Sequence, residues 1–280
     1  MSDAGADSPH LDRRQREQAK HGAPLGPLVI HEIVREQGEA ELARGFHGLA
    51  WSGLAAGLSI GFSFLVQAHL QAALPDTRWG HAVASFGYAI GFLIVILGRQ
   101  QLFTETTLTA LIPTLTRPRM ATFLATLRVW GIVLAANLVG TWVFGAISAW
   151  PTLFPAEVGA AMDRLSDHTM SRSFGHTVFT AGSAGWVIGL MVWLLPGAGP
   201  ARPLIVILLT WVIALCQFPH IIAGSVEAAY GVVSGRAGLG DYAWRFLVPT
   251  LAGNAIGGTI LAALLNHAPV AEELEEEAES

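Results

Sequence analysis

Residues 203–235 form an apolar run long enough to cross a bilayer, yet Gln217, Phe218, Pro219 and His220 stand in its middle. Proline removes a backbone donor and clashes with the preceding turn, and an ionisable ring at membrane depth belongs against protein or a water-filled cavity. The run therefore reads as a broken helix lining a passage.

The chain around it has the composition such a helix needs. Of 280 residues, 52% are hydrophobic and only 13% charged, which excludes an ordinary soluble domain. Apolar stretches at 45–70, 81–112, 124–150, 174–195, 203–233 and 246–265 each supply the roughly 20 residues that a hydrocarbon core of about 30 Å requires. Residues 45–267 thus read as an all-α, six-span transmembrane domain in the lipid bilayer. Residues 1–27 read as a flexible tail with no apolar signal segment. Residues 28–44 read as an amphipathic helix, at the membrane surface or as a soluble cap. Residues 268–280, with six glutamates between 272 and 279, read as a solvated acidic tail. Six spans put both ends on one side. With that side cytoplasmic, ten of the 16 Lys and Arg lie within and five outside, Arg99 falling inside a span. The expected location is the inner (cytoplasmic) membrane, with both termini cytoplasmic.

The sequence also repeats. Asn137 and Gly140 in the third span recur as Asn254 and Gly257 in the sixth, 117 residues later. Nearly the same spacing carries Leu102, Phe103 and Thr104 onto the neighbourhood of Phe218, Pro219 and His220. Two similar halves of three spans, about 45–150 and 174–265, enter a membrane in opposite senses, so the expected architecture is an inverted 3+3 repeat with broken second and fifth helices. The first break carries Arg99, Gln100, Gln101, Thr104, Glu105, Thr106 and Thr107 between two apolar segments. Broken spans expose half-helix ends, whose free N–H groups favour an anion.

At these residues the chain resembles the formate/nitrite transporter family. Leu102-Phe103-Thr104 matches the start of that family's first break, a Leu-Phe-Thr-Gly-Asn type loop. Phe218-Pro219-His220 and the residues to Gly224 match its Phe-x-His-Ser-x-Ala-Asn type run. Asn137/Gly140, Asn254/Gly257 and Trp193 fit as well. The resemblance implies an aquaporin-like six-helix protomer in a homopentamer, each protomer holding a pore for small monovalent anions. It implies a central histidine, His220, near Thr104, with apolar slits whose walls include Tyr88, Phe92, Leu102, Phe103 and Phe218. The chain departs from the family at Gln101, usually acidic, at Glu105 and Thr106, where Gly and Asn are common, and at Arg99, where a small residue is expected. The family's vestibule lysine aligns near Thr169, leaving His168 and Arg172 as stand-ins. This marks a divergent branch.

His220 is expected to help a weak-acid anion cross, through its field or by proton transfer. Thr104 reads as both gate and helix cap. Arg99, Glu105 and Glu227 read as a salt-bridge cluster pinning the two breaks together. Gly53, Gly57 and Gly61 read as close helix packing, and His176 as vestibule or core. No nucleotide loop, histidine metal pair or nucleophile–base set is present, so neither an enzyme, a cofactor, a metal nor a nucleic-acid partner is expected. Alternatives are an aquaporin-like pore for neutral small solutes and a non-transporting membrane scaffold.

Overall fold

The computed structural model describes residues 25–264 together with 268 and 270, and every regular element among them is helical. The acidic tail and nearly all of the N-terminal tail lie outside the described residues.

Helix α1, Pro27–Ala43, begins on a proline, whose missing N–H costs nothing at a helix start. Arg35 pairs with Glu32 at 2.7 Å and Glu39 at 2.6 Å, and the buried stripe is His31, Val34 and Gly38. That stripe lies on protein: Val34 joins Leu108, Ile112 and Val192 in a small cluster.

Helices α2, Phe46–Ser59, and α3, Gly61–Ala73, join at Ile60 into a first apolar rod of 28 residues. Next come α4, Arg78–Ala84, a 3₁₀ turn, and α5, Ala89–Leu97, then α6, Phe103–Thr109, and α7, Ile112–Thr116. The long α8, Met120–Ser148, precedes α9, Ala156–Met170, which is amphipathic, and α10, Phe174–Leu194. Helix α11, Arg202–Leu215, is followed by α12, Ile221–Val233, and the described chain ends with α13, Val248–Ile256, between two π-helical stretches.

Four helical stretches among the described residues are long and apolar enough to cross a membrane: Phe46–Ala73, Arg78–Leu97, Met120–Ser148 and Phe174–Gly197. The stretches 81–112 and 203–233 are each divided, because the chain leaves the helix after Leu97 and again after Leu215.

Close packing positions the site. Gly57 on α2 lies against the backbone of Asn137 on α8, and Gly185 on α10 against the backbone of Asn254 on α13. A Cβ at either glycine would collide with main chain, so these glycines let each asparagine sit between helices. Large apolar side chains, among them Trp51, Phe62, Trp150 and Phe179, remain on the outside, as a lipid-facing or subunit-facing surface requires.

Candidate functional site

The two breaks have the same construction. After Leu97 five residues, 98–102, precede α6, and after Leu215 five residues, 216–220, precede α12. Arg99 N–H donates to Ile96 O and Gln100 N–H to Val95 O, while Gln217 N–H donates to Ala214 O and Phe218 N–H to Ile213 O. This is the Schellman ending of a helix, and its left-handed residue is ordinarily glycine. Here it is Arg99, at φ 51°, and Gln217, at φ 56°, 118 positions apart.

Each break is held by one asparagine through three hydrogen bonds. Asn137 Oδ1 accepts from Phe103 N–H at 2.9 Å, and its Nδ2 donates to Gly53 O at 2.7 Å and Gln101 O at 2.9 Å. Asn254 Oδ1 accepts from Ile221 N–H at 2.7 Å, and its Nδ2 donates to Ala181 O at 2.8 Å and Pro219 O at 2.9 Å. Bent backbone in an apolar bundle has no water to satisfy it, so a side-chain amide does so. The first N–H of each second half-helix is consequently occupied by Asn137 or Asn254. For that first N–H of each half-helix, this corrects the expectation of a donor left free for an anion.

Between the breaks, Thr104 Oγ1 and His220 Nε2 lie 2.8 Å apart, both buried. His220 Nδ1 accepts from Ala223 N–H at 3.2 Å, capping α12. A neutral ring whose Nδ1 accepts carries its proton on Nε2, so Nε2–H donates to Thr104 and the threonine's own proton is left to donate elsewhere. Phe92 meets the imidazole edge-on with centroids 5.0 Å apart, and Tyr88 packs on Phe92 at 5.2 Å.

Two cavities flank this pair. The first, about 460 Å³, is lined by Glu41, Arg44, Arg99, Gln101, Leu102 and Glu105, with Arg202 at the start of α11. The second, about 470 Å³, is lined by Tyr88, His168, Arg172, Phe218, His220 and Glu227, with Leu215 at the end of α11. They therefore lie at opposite ends of α11. Of the expected wall residues, Leu102 faces the first cavity, Tyr88 and Phe218 the second, and Phe92 the histidine ring. Phe103 lines neither cavity and turns to Trp130, at 6.2 Å.

The charged residues are arranged otherwise than expected. No ion pair within 4.0 Å joins Arg99, Glu105 and Glu227. Arg99 is exposed, Glu105 shares its cavity, and Glu227 lies in the other cavity, bonded to Thr169. The cluster fails because the two carboxyls stand on opposite sides of the Thr104–His220 pair. His168 and Arg172 are together: Arg172 Nη2 lies 3.0 Å from His168 Nε2, and Nη1 donates to Gln217 O at 2.6 Å. Burial and the Arg172 charge hold the His168 imidazole below its ordinary value of 6.5. His176 is exposed and lines neither cavity. Sequence reasoning missed Glu41, although its spacing of seven residues from Val34 and three from Gly38 places it on the buried stripe of α1; its Oε2 accepts from Thr109 Oγ1 at 2.6 Å.

A profile described as formate/nitrite transporter matches residues 28–268. The chain belongs to the formate/nitrite transporter family. Like its relatives it is a membrane protein of a transporter family, not an enzyme. It is 39% identical over 251 residues to the inner membrane protein YfdC of Escherichia coli (strain K12), covering 90% of this chain and 81% of that one. Among solved structures, an FNT family ion channel superposes with a TM-score of 0.77 at 16% identity, covering 86% of this chain and 98% of that one. A pentameric formate channel with formate bound superposes with a TM-score of 0.68 at 17% identity, covering 81% and 98%. At that identity the two structures speak for the fold. Within this formate/nitrite transporter fold, the paired breaks, the two asparagines and the Thr104–His220 contact occupy the centre of the bundle.

Proposed function

We propose that the protein is a transmembrane channel or transporter for small monovalent weak-acid anions of the formate and nitrite kind, with His220 assisting passage by proton transfer. The observation that carries this reading is the Thr104–His220 bond of 2.8 Å, held between two five-residue breaks and flanked by cavities at opposite ends of the bundle. Leu102 lines the first cavity and His220 the second, and Thr104, buried between Leu102 and the ring, belongs to the neck between them. The hydroxyl of Thr104, free to donate, suits an anion's lone pairs, and the Nε2–H of His220 supplies a second donor.

The protomer crosses the membrane six times in two inverted halves. The support is the repetition of the Schellman endings, the asparagine bonds and the glycine contacts at matching positions. It assembles as a homopentamer, by likeness to the pentameric formate channel and by the outward apolar side chains. It resides in the inner membrane like its YfdC relative, with both termini cytoplasmic from the charge bias of the loops. Uptake of formate and nitrite into proteoliposomes tests the reading across about pH 5 to 8, where imidazoles ordinarily titrate. Wild type should carry both, and His220→Asn should lose most of the flux at every pH. Equal flux in the two proteins would reject it.

A further inference from the structure

Each end of the molecule carries a threonine–glutamate bond that the reading above leaves unused. Thr109 on α6 donates through Oγ1 to Glu41 Oε2 on α1. Thr169 on α9 donates through Oγ1 to Glu227 Oε2 on α12. Donor and acceptor are exchanged, but the positions correspond. Thr109 and Glu227 stand 118 residues apart, the spacing that carries Phe103 onto Ile221. Glu41 and Thr169 stand 128 apart, the spacing that carries Gly53 onto Ala181, whose carbonyls receive the two asparagines. Each bond thus ties the amphipathic helix preceding a half to the second half-helix of that half's broken span.

Both carboxyls line the cavities, Glu41 the first and Glu227 the second. Both cavities are also lined by glutamines whose buried Oε1 has no hydrogen-bond partner, Gln100 and Gln101 in the first and Gln67 in the second; Gln101 and Gln67 are 92% or more out of contact with solvent. An orphaned buried acceptor needs a donor. A bare anion offers none, whereas an undissociated acid or a protonated carboxyl offers an O–H.

The surrounding charges leave the carboxyls without direct neutralisation. Glu41 faces Glu105 from α6, with Arg44, Arg99 and Arg202 around the same cavity. Glu227 faces Arg172, His168 and Arg164 from α9, His220 from its own break and Tyr88 from the 3₁₀ turn; Arg78 and His81 lie further along that cavity. Among the described residues no basic nitrogen comes within 4.0 Å of Glu41, Glu105 or Glu227. Burial pushes the Glu41 carboxyl up, against the hydrogen bonds of Thr109 and Gln101 and the charge of Arg44. An ionised carboxylate about 6 Å from an entering anion, at an effective dielectric of about 20, lowers its occupancy roughly a hundredfold.

We propose that Glu41, with its neighbour Glu105, and Glu227 are the charge-selecting residues of the two cavities, each admitting a monovalent anion only together with a proton. The ligand of either cavity is the undissociated weak acid, or the anion facing a protonated glutamate, and never the anion beside a carboxylate. The inference rests on the anion pathway proposed above. The two barriers act in series, so removing one leaves the other.

The test is formate equilibrium exchange in proteoliposomes as a function of pH, with an internal pH dye reporting protons. Wild-type exchange should fall steeply toward alkaline pH, and net formate uptake should bring one proton per anion. Glu227→Gln alone and Glu41→Gln with Glu105→Gln should each keep most of that fall, since glutamine preserves the threonine bond but removes the charge at one end only. The triple variant should exchange at least about tenfold faster than wild type at alkaline pH, with a flattened profile. An unmoved profile in the triple variant, or a uniform loss at every pH, would overturn the inference, as would wild-type formate uptake carrying no protons. Absence of wild-type formate flux at every pH would instead sink the anion pathway, and this inference with it.

Discussion

Thr104 Oγ1 lies 2.8 Å from His220 Nε2, and the other ring nitrogen of the same histidine caps α12 through Ala223 N–H at 3.2 Å. The imidazole therefore joins the first break to the start of the second half-helix in the other half. A doubly protonated ring would have to surrender the cap, since Nδ1 would become a donor facing another N–H.

The contact predicts different behaviour for its two partners. Thr104→Val removes the acceptor and strands a buried N–H, which costs about 1–3 kcal/mol. His220→Asn keeps an oxygen within reach of Ala223 N–H and loses the ring against Phe92. Thr104→Val should therefore be the less stable in a thermal unfolding assay of the purified protein, while His220→Asn should stay folded and lose transport. The reverse order would show that the ring, and not the bond, holds the neck together.

Asn137 and Asn254 make the same three bonds in the two halves, so their loss should cost alike. Asn→Ala at either position leaves one N–H and two carbonyls without their side-chain partner, at roughly 1–3 kcal/mol for each buried group that stays unpaired. Both variants should give a poorly folded protein by fluorescence-detected size exclusion. Asn→Asp, which keeps the acceptor and loses the two donors, should be intermediate. A mild effect at one site and a severe effect at the other would count against equivalent halves.

The left-handed residues Arg99 and Gln217 offer a gain. Neither position suits a Cβ, and glycine there should relieve about 1 kcal/mol at each. Arg99→Gly is the cleaner test, because no hydrogen bond or ion pair of the Arg99 side chain occurs among the described residues. Gln217→Gly keeps the carbonyl that Arg172 uses. Both should raise the unfolding temperature. A drop for Arg99→Gly would mean that the arginine serves the cavity it lines.

Much of this was legible in the sequence for reasons that can be stated. Pro219 and His220 in an apolar run force a break, and Asn137 and Asn254 at the same spacing announce two similar frameworks. Polar residues that lipid would expel are informative wherever they occur. The side of the neck on which a charge falls was not legible. Arg99, Glu105 and Glu227 look like one cluster along the chain, yet Glu105 and Glu227 sit in different cavities, because each follows a break in a different half. Glu41 was invisible for another reason. On α1 it continues the buried stripe of His31, Val34 and Gly38, but it is one of several glutamates on that helix, and only the Thr109 hydroxyl on α6 shows what an inward glutamate meets there.

His168 gives a pH signature outside the spans. Its neutral Nε2 accepts from Arg172 Nη2 at 3.0 Å, and burial, followed by the Arg172 charge, lowers its proton affinity below the ordinary 6.5. A group whose folded value is depressed contributes stability above its unfolded value, and that contribution is lost as pH falls through the folded value. The loss should therefore occur below pH 6.5, where a protonated ring repels Arg172 and loosens its hold on the Gln217 carbonyl at the second break. His168→Gln retains an acceptor and cannot titrate. Between pH 6.5 and about 5, the unfolding temperature of wild type should fall further than that of His168→Gln, while the two run parallel above it. Parallel curves throughout would place the acid sensitivity elsewhere, and a steeper fall in the variant would reverse the assigned sign.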